Sequence, residues 1–217
     1  MKNKPAINTN ENDISIIIVN YKSWTHLQKC LNSLEDIDRD SFSFEVIIVD
    51  NNSNDNKLDA FSKKFPTYKF VSNLDNYGFS SGNNFGAHRA NGEFLLFLNP
   101  DTILEKNSLS SLIKYSISNK EHRLIGIKQL DQNGSNTNAY GLFLNIWTST
   151  GFFRIFNRIL KGLTYKKMNS KEISSPDWIS GSFILLRKID FIKLDGWNEK
   201  YWMYYEDMDL CKKAQLL

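Results

Sequence analysis

Two short runs of branched apolar residues, Ile14–Asn20 (ISIIIVN) and Glu45–Asp50 (EVIIVD), limit most severely what this chain can fold into. Neither alternates polar with apolar residues. Each therefore reads as a strand covered on both faces, the mark of a parallel sheet. Between them Leu27, Leu31 and Leu34 fall at i, i+4, i+7, one face of a helix. The alternation continues. A helix around Leu58–Phe65 stops at Pro66, Tyr68–Ser72 is a third strand, Ser80–Ala90 is helical, and Glu93–Leu98 (EFLLFL) is a fourth strand. Parallel strands need long crossovers and helices usually supply them, so the first half predicts a Rossmann-like α/β sheet. Ligands of such sheets bind beyond the carboxyl ends of the strands. Asp50 and Asp101 stand at two such ends, which predicts that they face one crevice.

The second half is less regular. Trp178–Arg187 (WISGSFILLR) reads as one further strand, with Gly181 allowing close approach of a ligand or backbone. A helix from about Glu206 follows the aromatic stretch Tyr201–Tyr205. Neither a repeat nor a linker interrupts the pattern, so residues 14–217 are expected to form one domain behind a polar leader, residues 1–13.

Several function classes are disfavoured. A net charge of +3 over 217 residues does not argue for nucleic acid. Cys30 and Cys211 form no CxxC pair, which speaks against zinc and disulfides and for a reducing cytoplasm. No run reaches the roughly 18 to 20 apolar residues of a membrane span. Trp147–Lys167 mixes large apolar residues with Arg154, Arg158, Lys161, Lys166 and Lys167 and has no acid. It is either a basic amphipathic helix lying on an anionic membrane or a half-buried helix with a solvated basic face.

Four motifs could carry chemistry. Asn99-Pro100-Asp101 follows a buried strand. Asp101 there either binds Mg²⁺ or Mn²⁺ against a pyrophosphate or caps a helix starting near Leu104. Asp50 with Asn51, Asn52 and Ser53 suits a nucleobase edge or ribose hydroxyl, or else is a turn and helix cap. The segment Asn76–Gly86 (NYGFSSGNNFG) spaces glycines by four, for a ligand's approach or for packing of a helix on the sheet. That spacing is not GxGxxG, and Asn20–Trp24 has no glycine, which disfavours a nicotinamide dinucleotide enzyme. Glu206, Asp207 and Asp209 sit at a helix start, where acids are favoured in any case. The aromatic residues before them would raise a carboxylate's pKa and suit one of them to general-base work.

In order, ISIIIVNY, IIVDNNSND, NYGFSSGNNFG, FLLFLNPDT, WISGSFILLRK and GWNEKYWMYYEDMDLC resemble family 2 glycosyltransferases, and within them the bacterial rhamnosyltransferase-like branch. The resemblance runs from about Ile14 to Cys211. It implies a GT-A fold: a mostly parallel sheet flanked by helices, with a smaller mixed acceptor-side portion. Residues 14–105 would bind the nucleotide-sugar and residues 106–217 the acceptor. Asn20, Tyr21, Asp50 and Asn52 would hold the nucleoside, and Asn76, Gly78, Gly82 and Asn83 would shape the donor site. Asp101 would bind Mn²⁺ or Mg²⁺, with Asn99 where many relatives carry a first Asp.

Gly181 and Ser182, with Trp178 ahead of them, match the acceptor-side segment. Asp207 matches the catalytic base and Glu206 would support it. The implied reaction is inverting transfer from a dTDP- or UDP-sugar, rhamnose or a related hexose, to a glycan or lipid-linked acceptor in cell-surface polysaccharide synthesis. Relatives continue past this last helix with a strand and a segment whose histidine can join the metal site, and none of His26, His88 or His122 holds that place. The expectation is a chain that is truncated, completed by another element or subunit, or impaired. The alternative function is a nucleotide-binding remnant.

Overall fold

The computed structural model describes residues 13–40, 42–137, 139–143 and 173–217. The elements run β1 (Ile14–Asn20), α1 (Trp24–Glu35), β2 (Phe44–Asp50), α2 (Leu58–Lys64), β3 (Lys69–Ser72), α3 (Gly78–Ala87), β4 (Phe94–Leu98), α4 (Ser108–Ser118), β5 (Leu124–Ile125), β6 (Tyr140–Gly141), β7 (Trp178–Ile179), β8 (Phe183–Arg187), α5 (Lys188–Lys193) and α6 (Glu206–Leu216). The main sheet has six strands in the order β3-β2-β1-β4-β8-β5. Its first four strands are parallel, as the apolar runs require. β8 then lies antiparallel to β4, and β5 antiparallel to β8.

Strand alternation divides the core into two layers. Ile14, Ile16 and Ile18 point to the face covered by Leu27, Leu31 and Leu34 of α1 and by Leu109 and Ile113 of α4. Ile17 and Val19 point to the opposite face, where Ala87, Phe191, Leu194, Trp197 and Leu210 pack. Gly82 and Gly86 let α3 lie directly on that second face. A Cβ at Gly86 would sit 2.5 Å from Ile17 Cγ2, and one at Gly82 would sit 2.8 Å from Val19 Cγ1.

Three expectations need correction. Trp178–Arg187 is not one strand. Trp178–Ile179 pairs with Tyr140–Gly141 in a separate two-stranded sheet, and Phe183–Arg187 enters the main sheet. The chain changes sheets at Ser180–Ser182, where Ser180 N donates to Ala139 O (2.8 Å) and Phe183 N turns back to Ser180 O (3.3 Å).

The helix expected near Leu104 begins at Ser108, so Asp101 caps nothing. Nor does the Asn51–Asp55 cluster cap α2, which starts after Lys57 without a side-chain cap. Instead Asn52, Asn54 and Asn56 all have positive φ, a backbone region that asparagine tolerates. They build a winding loop, and Asp55 accepts a 2.7 Å hydrogen bond from Trp24 Nε1. The basic stretch 147–167 lies outside the described residues. Among those described, no helix is long and apolar enough to cross a membrane.

Candidate active site

β1, β2 and β4 end on one edge of the sheet: Asn20 is level with Asp50, and Ile17 with Phe97. The residues singled out at strand ends therefore share an edge. Asn20 and Asp50 are buried there and bound to each other, Asn20 Nδ2 donating to Asp50 Oδ1 (3.2 Å). Asp50 also accepts from Ser53 N (3.0 Å) and Ser53 Oγ. A carboxylate offers about four acceptor sites, and protein groups already occupy three. Asp50 thus orders the loop and has little acceptor capacity left for a ligand. Above it Tyr21 is exposed, with Lys22 Nζ 5.2 Å from its ring centre.

Asn51, grouped in the sequence with Asp50, Asn52 and Ser53 but not singled out among them, is the hub of this end. Its N–H donates to Asn20 O (2.8 Å), its Nδ2 to Gly78 O (2.8 Å), and its Oδ1 accepts from Asn73 Nδ2 (2.6 Å). Asn76 Oδ1 accepts from Gly78 N (3.1 Å), which closes the turn into α3. Asn83 is buried and its Nδ2 bonds Phe79 O (3.1 Å), while Gly82 faces Val19 and Asn51. These two shape the site by setting α3 against the sheet. Asn51, whose side chain is bonded to Gly78 O and to Asn73 Nδ2, has no sequence signal beyond its place in an Asn-rich loop.

Asn99, Pro100 and Asp101 form a turn closed by Thr102 N to Asn99 O (3.2 Å), which leaves Asp101 exposed beyond β4. Among the described residues no group of three or more His, Cys, Asp or Glu side chains could hold a metal. The donor set is nonetheless suitable. A single exposed carboxylate is a hard oxygen ligand, and Mg²⁺-type ions bind through one or two carboxylates plus substrate phosphates. Such an ion would be shared with a nucleotide, not held by protein alone.

The strand switch brings the second set of residues to the same edge. β8 runs against β4 with Phe183 level with Leu98, so Ser182 lies beside Asn99, whose N–H donates to Ser182 O (3.0 Å). Gly181 N donates to Asp207 Oδ2 (3.2 Å). The Asp101 turn and Asp207 are therefore two hydrogen bonds apart through Gly181–Ser182. Ser182 Oγ receives Gln129 Nε2 (2.8 Å), and Trp178 stays half-buried in β7. A Cβ at Gly181 would sit 3.3 Å from the Phe79 ring and 3.6 Å from Asp207 Cβ. The close approach expected of this glycine is to protein.

Asp207 is half-buried, and its Oδ1 also accepts from Met208 N (2.8 Å). Glu206 is buried, with Oε2 lacking any partner. Burial pushes its carboxyl above the usual range. Its own backbone hydrogen bond opposes this, and the charge of Asp207 adds to it. Burial in the fold raises this group; the aromatic run ahead of it, Tyr201–Tyr205, is largely exposed.

Comparison with known proteins agrees with this fold. Residues 15–191 match the model of Glycosyl transferase family 2. The rhamnosyltransferase WbbL of Escherichia coli is 27% identical over 213 residues, covering 94% of this chain and 77% of that protein. The structure of S. aureus TarS in complex with UDP superposes with a TM-score of 0.65 at 20% identity, over 94% of this chain and 55% of that one. A mannosyltransferase from Pyrobaculum calidifontis, in complex with GDP-Man and Mn²⁺, gives a TM-score of 0.63 at 14% identity, over 94% of this chain and 52% of the other. The chain thus spans about half the length of these solved structures.

Proposed function

This chain belongs to glycosyl transferase family 2 and has the GT-A fold, and on that premise we propose that it moves a sugar from a nucleoside diphosphate to an acceptor hydroxyl with inversion at the anomeric carbon. The observation that carries the reading is the Gly181–Asp207 hydrogen bond together with the Asn99–Ser182 one. They bring a half-buried carboxylate and an exposed one to a single sheet edge. In this reading residues 14–105 bind the donor and residues 106–217 the acceptor. Asn20, Tyr21 and Asn52 border the nucleoside, and Asp50 and Asn51 hold their loop in shape.

Asp207 takes the proton of the acceptor hydroxyl. The acceptor oxygen forms a bond to the anomeric carbon as the bond from that carbon to the diphosphate oxygen breaks, and the electron pair leaves with the nucleoside diphosphate. Asp101, with Asn99 beside it, would hold a Mn²⁺ or Mg²⁺ ion, whose charge stabilises the departing diphosphate. Gly181 N–H orients Asp207, and buried Glu206 stands beside it at the start of α6.

The similarity to WbbL supports rhamnose or a related hexose as the sugar. The bound UDP of TarS supports a pyrimidine nucleotide, dTDP or UDP. We propose cell-surface polysaccharide synthesis on a glycan or lipid-linked acceptor, in the cytoplasm, as the setting.

A thermal-shift panel of UDP, dTDP, GDP and NAD with and without Mn²⁺ tests the donor site. Ligand at 100 times its dissociation constant stabilises by about 2.7 kcal/mol. A shift with UDP or dTDP that grows with Mn²⁺ supports the reading, and silence from every nucleotide overturns it. Binding without release of nucleoside diphosphate from any donor identifies a nucleotide-binding remnant.

A further inference from the structure

The residues just ahead of Glu206 are exposed in a way that core packing does not require. Trp202 is 54% exposed, Tyr204 72% and Tyr205 67%, with Tyr201 and Met203 also open to solvent. Single exposed aromatics are ordinary; five successive large side chains are not. The backbone that presents them is unfavourable as well. Tyr204 and Tyr205 have φ of 70° and 68°, a region in which bulky residues are genuine outliers. Such conformations persist only where the surroundings hold them.

Here the holding contacts are visible. Phe79 N donates to Trp202 O (3.1 Å), and Asp209 N to Tyr205 O (2.9 Å). Gly78 packs so closely that a Cβ on it would lie 2.4 Å from Trp202 O and 2.8 Å from Cδ1 of its indole. The backbone of this turn and one edge of the Trp202 indole are thus held, and the rings stand open to water on the turn that leads directly into Asp207.

We propose that Trp202, Tyr204 and Tyr205 form a platform for the acceptor sugar. One face of a pyranose ring lies on the aromatic surface while a ring hydroxyl reaches Asp207. The proposal rests on the transferase reading above. Sugar C–H groups carry partial positive charge, and aromatic faces are negative. The tyrosine hydroxyls both donate and accept hydrogen bonds, which suits a polyol. Rigid Trp and Tyr side chains supply contact area at low entropic cost.

Local charge selects a neutral sugar over a bilayer. From Glu199 to Asp209 three carboxylates lie outside the core, Glu199, Asp207 and Asp209, against the cation Lys200 and Lys213, which stands 3.7 Å from Asp209. An anionic membrane surface attracts basic segments, and this one is acidic. Place in the chain selects the acceptor, because Tyr204 and Tyr205 lead directly into Asp207, while Trp202 also borders the donor side through Gly78.

Saturation-transfer NMR tests the platform, using the methyl pyranosides of glucose, galactose, mannose, rhamnose and N-acetylglucosamine on protein saturated with UDP or dTDP and Mn²⁺. At least one glycoside should receive saturation at the C–H protons of one ring face. Trp202→Leu should weaken that binding about tenfold, the equivalent of one good ring contact. Tyr204→Asn and Tyr205→Asn remove a ring while tolerating the left-handed backbone and should each weaken it, whereas Tyr205→Phe should retain it. Nucleotide-induced thermal stabilisation should match wild type in all four.

Nucleotide binding without any glycoside signal, or glycoside binding indifferent to the ring substitutions, overturns the platform and leaves the transferase reading intact. Glycoside binding through these rings without nucleotide binding rejects the transferase reading instead. Sedimentation with phosphatidylglycerol vesicles that is lost on ring removal, with glycoside binding intact, makes the rings a membrane contact and also overturns the proposal.

Discussion

Asp207 Oδ2 accepts a 3.2 Å hydrogen bond from the backbone N–H of Gly181, at the point where the chain passes from the small sheet into the main one. Neighbouring Ser182 bonds the strand end that carries Asp101. The acid from the last helix is thereby tied to the turn after β4, although the two lie far apart in sequence. The expected consequences can be tested one at a time.

Asp207→Asn keeps the shape of the side chain and an oxygen to accept from Gly181 N, so the fold should persist. A carboxamide cannot take the acceptor's proton. Transfer should fall about 100- to 10,000-fold, the usual worth of a positioned general base, with donor affinity within twofold of wild type. Steady-state kinetics with donor titration checks this, and a fully active variant removes Asp207 as the base.

Asp101→Ala should abolish the part of UDP or dTDP stabilisation that depends on Mn²⁺. The side chain is exposed and caps no helix, so the melting temperature of the ligand-free protein should barely move. Unchanged metal dependence in the thermal-shift titration would rule out Asp101 as a ligand.

Gly78→Ala and Gly134→Ala separate backbone strain from crowding. Both glycines have positive φ, 88° and 76°, but a Cβ at Gly78 meets Trp202 O at 2.4 Å while one at Gly134 meets nothing within 4 Å. Denaturant unfolding should show a loss of about 1 kcal/mol at Gly134, the backbone term alone. The loss at Gly78 should be clearly larger, with displacement of the aromatic turn.

Asn51→Ala leaves Asn73 Nδ2 and Gly78 O without their buried partner. Each unsatisfied buried group costs about 1–3 kcal/mol. Urea unfolding should register a loss in that range or above it, and nucleotide stabilisation should weaken with the loop. A neutral substitution would mean the loop is held by other contacts.

Glu206 gives the protein a pH dependence opposite to that of a salt-bridged acid. Its folded pKa lies above the ordinary 4.5 because burial favours the neutral form. Between 4.5 and the raised value the folded state binds more protons than the unfolded one, so stability falls as pH rises through that window. Below 4.5 the contribution is complete. Glu206→Gln, permanently neutral, should remove this slope and be more stable than wild type at neutral pH. Urea midpoints measured from pH 4 to 8 decide the matter, and parallel profiles for the two proteins would count against a buried neutral Glu206.

Much of the architecture was legible because it depends on local periodicity. Runs such as ISIIIVN and EVIIVD have no polar face, so they had to be inner parallel strands, and Leu27, Leu31 and Leu34 had to line a helix against them. The placement of Asp50 and Asp101 at strand ends followed from the same patterns. Motif order also identified the family, since NPD, SGS and YEDMD appear in the expected succession.

Other features depend on contacts between distant segments, which no local pattern encodes. WISGSFILLR reads as one strand because both halves are apolar, and only their separate partners, Tyr140 and Leu98, divide it at Gly181. Asn51 looks like any loop asparagine until Gly78, Asn73 and Asn20 close around it. Glu206 and Asp207 are adjacent acids with the same intrinsic chemistry. Which is buried and which is offered at the sheet edge was decided by how α6 packs, because burial is a property of the whole fold and not of the residue.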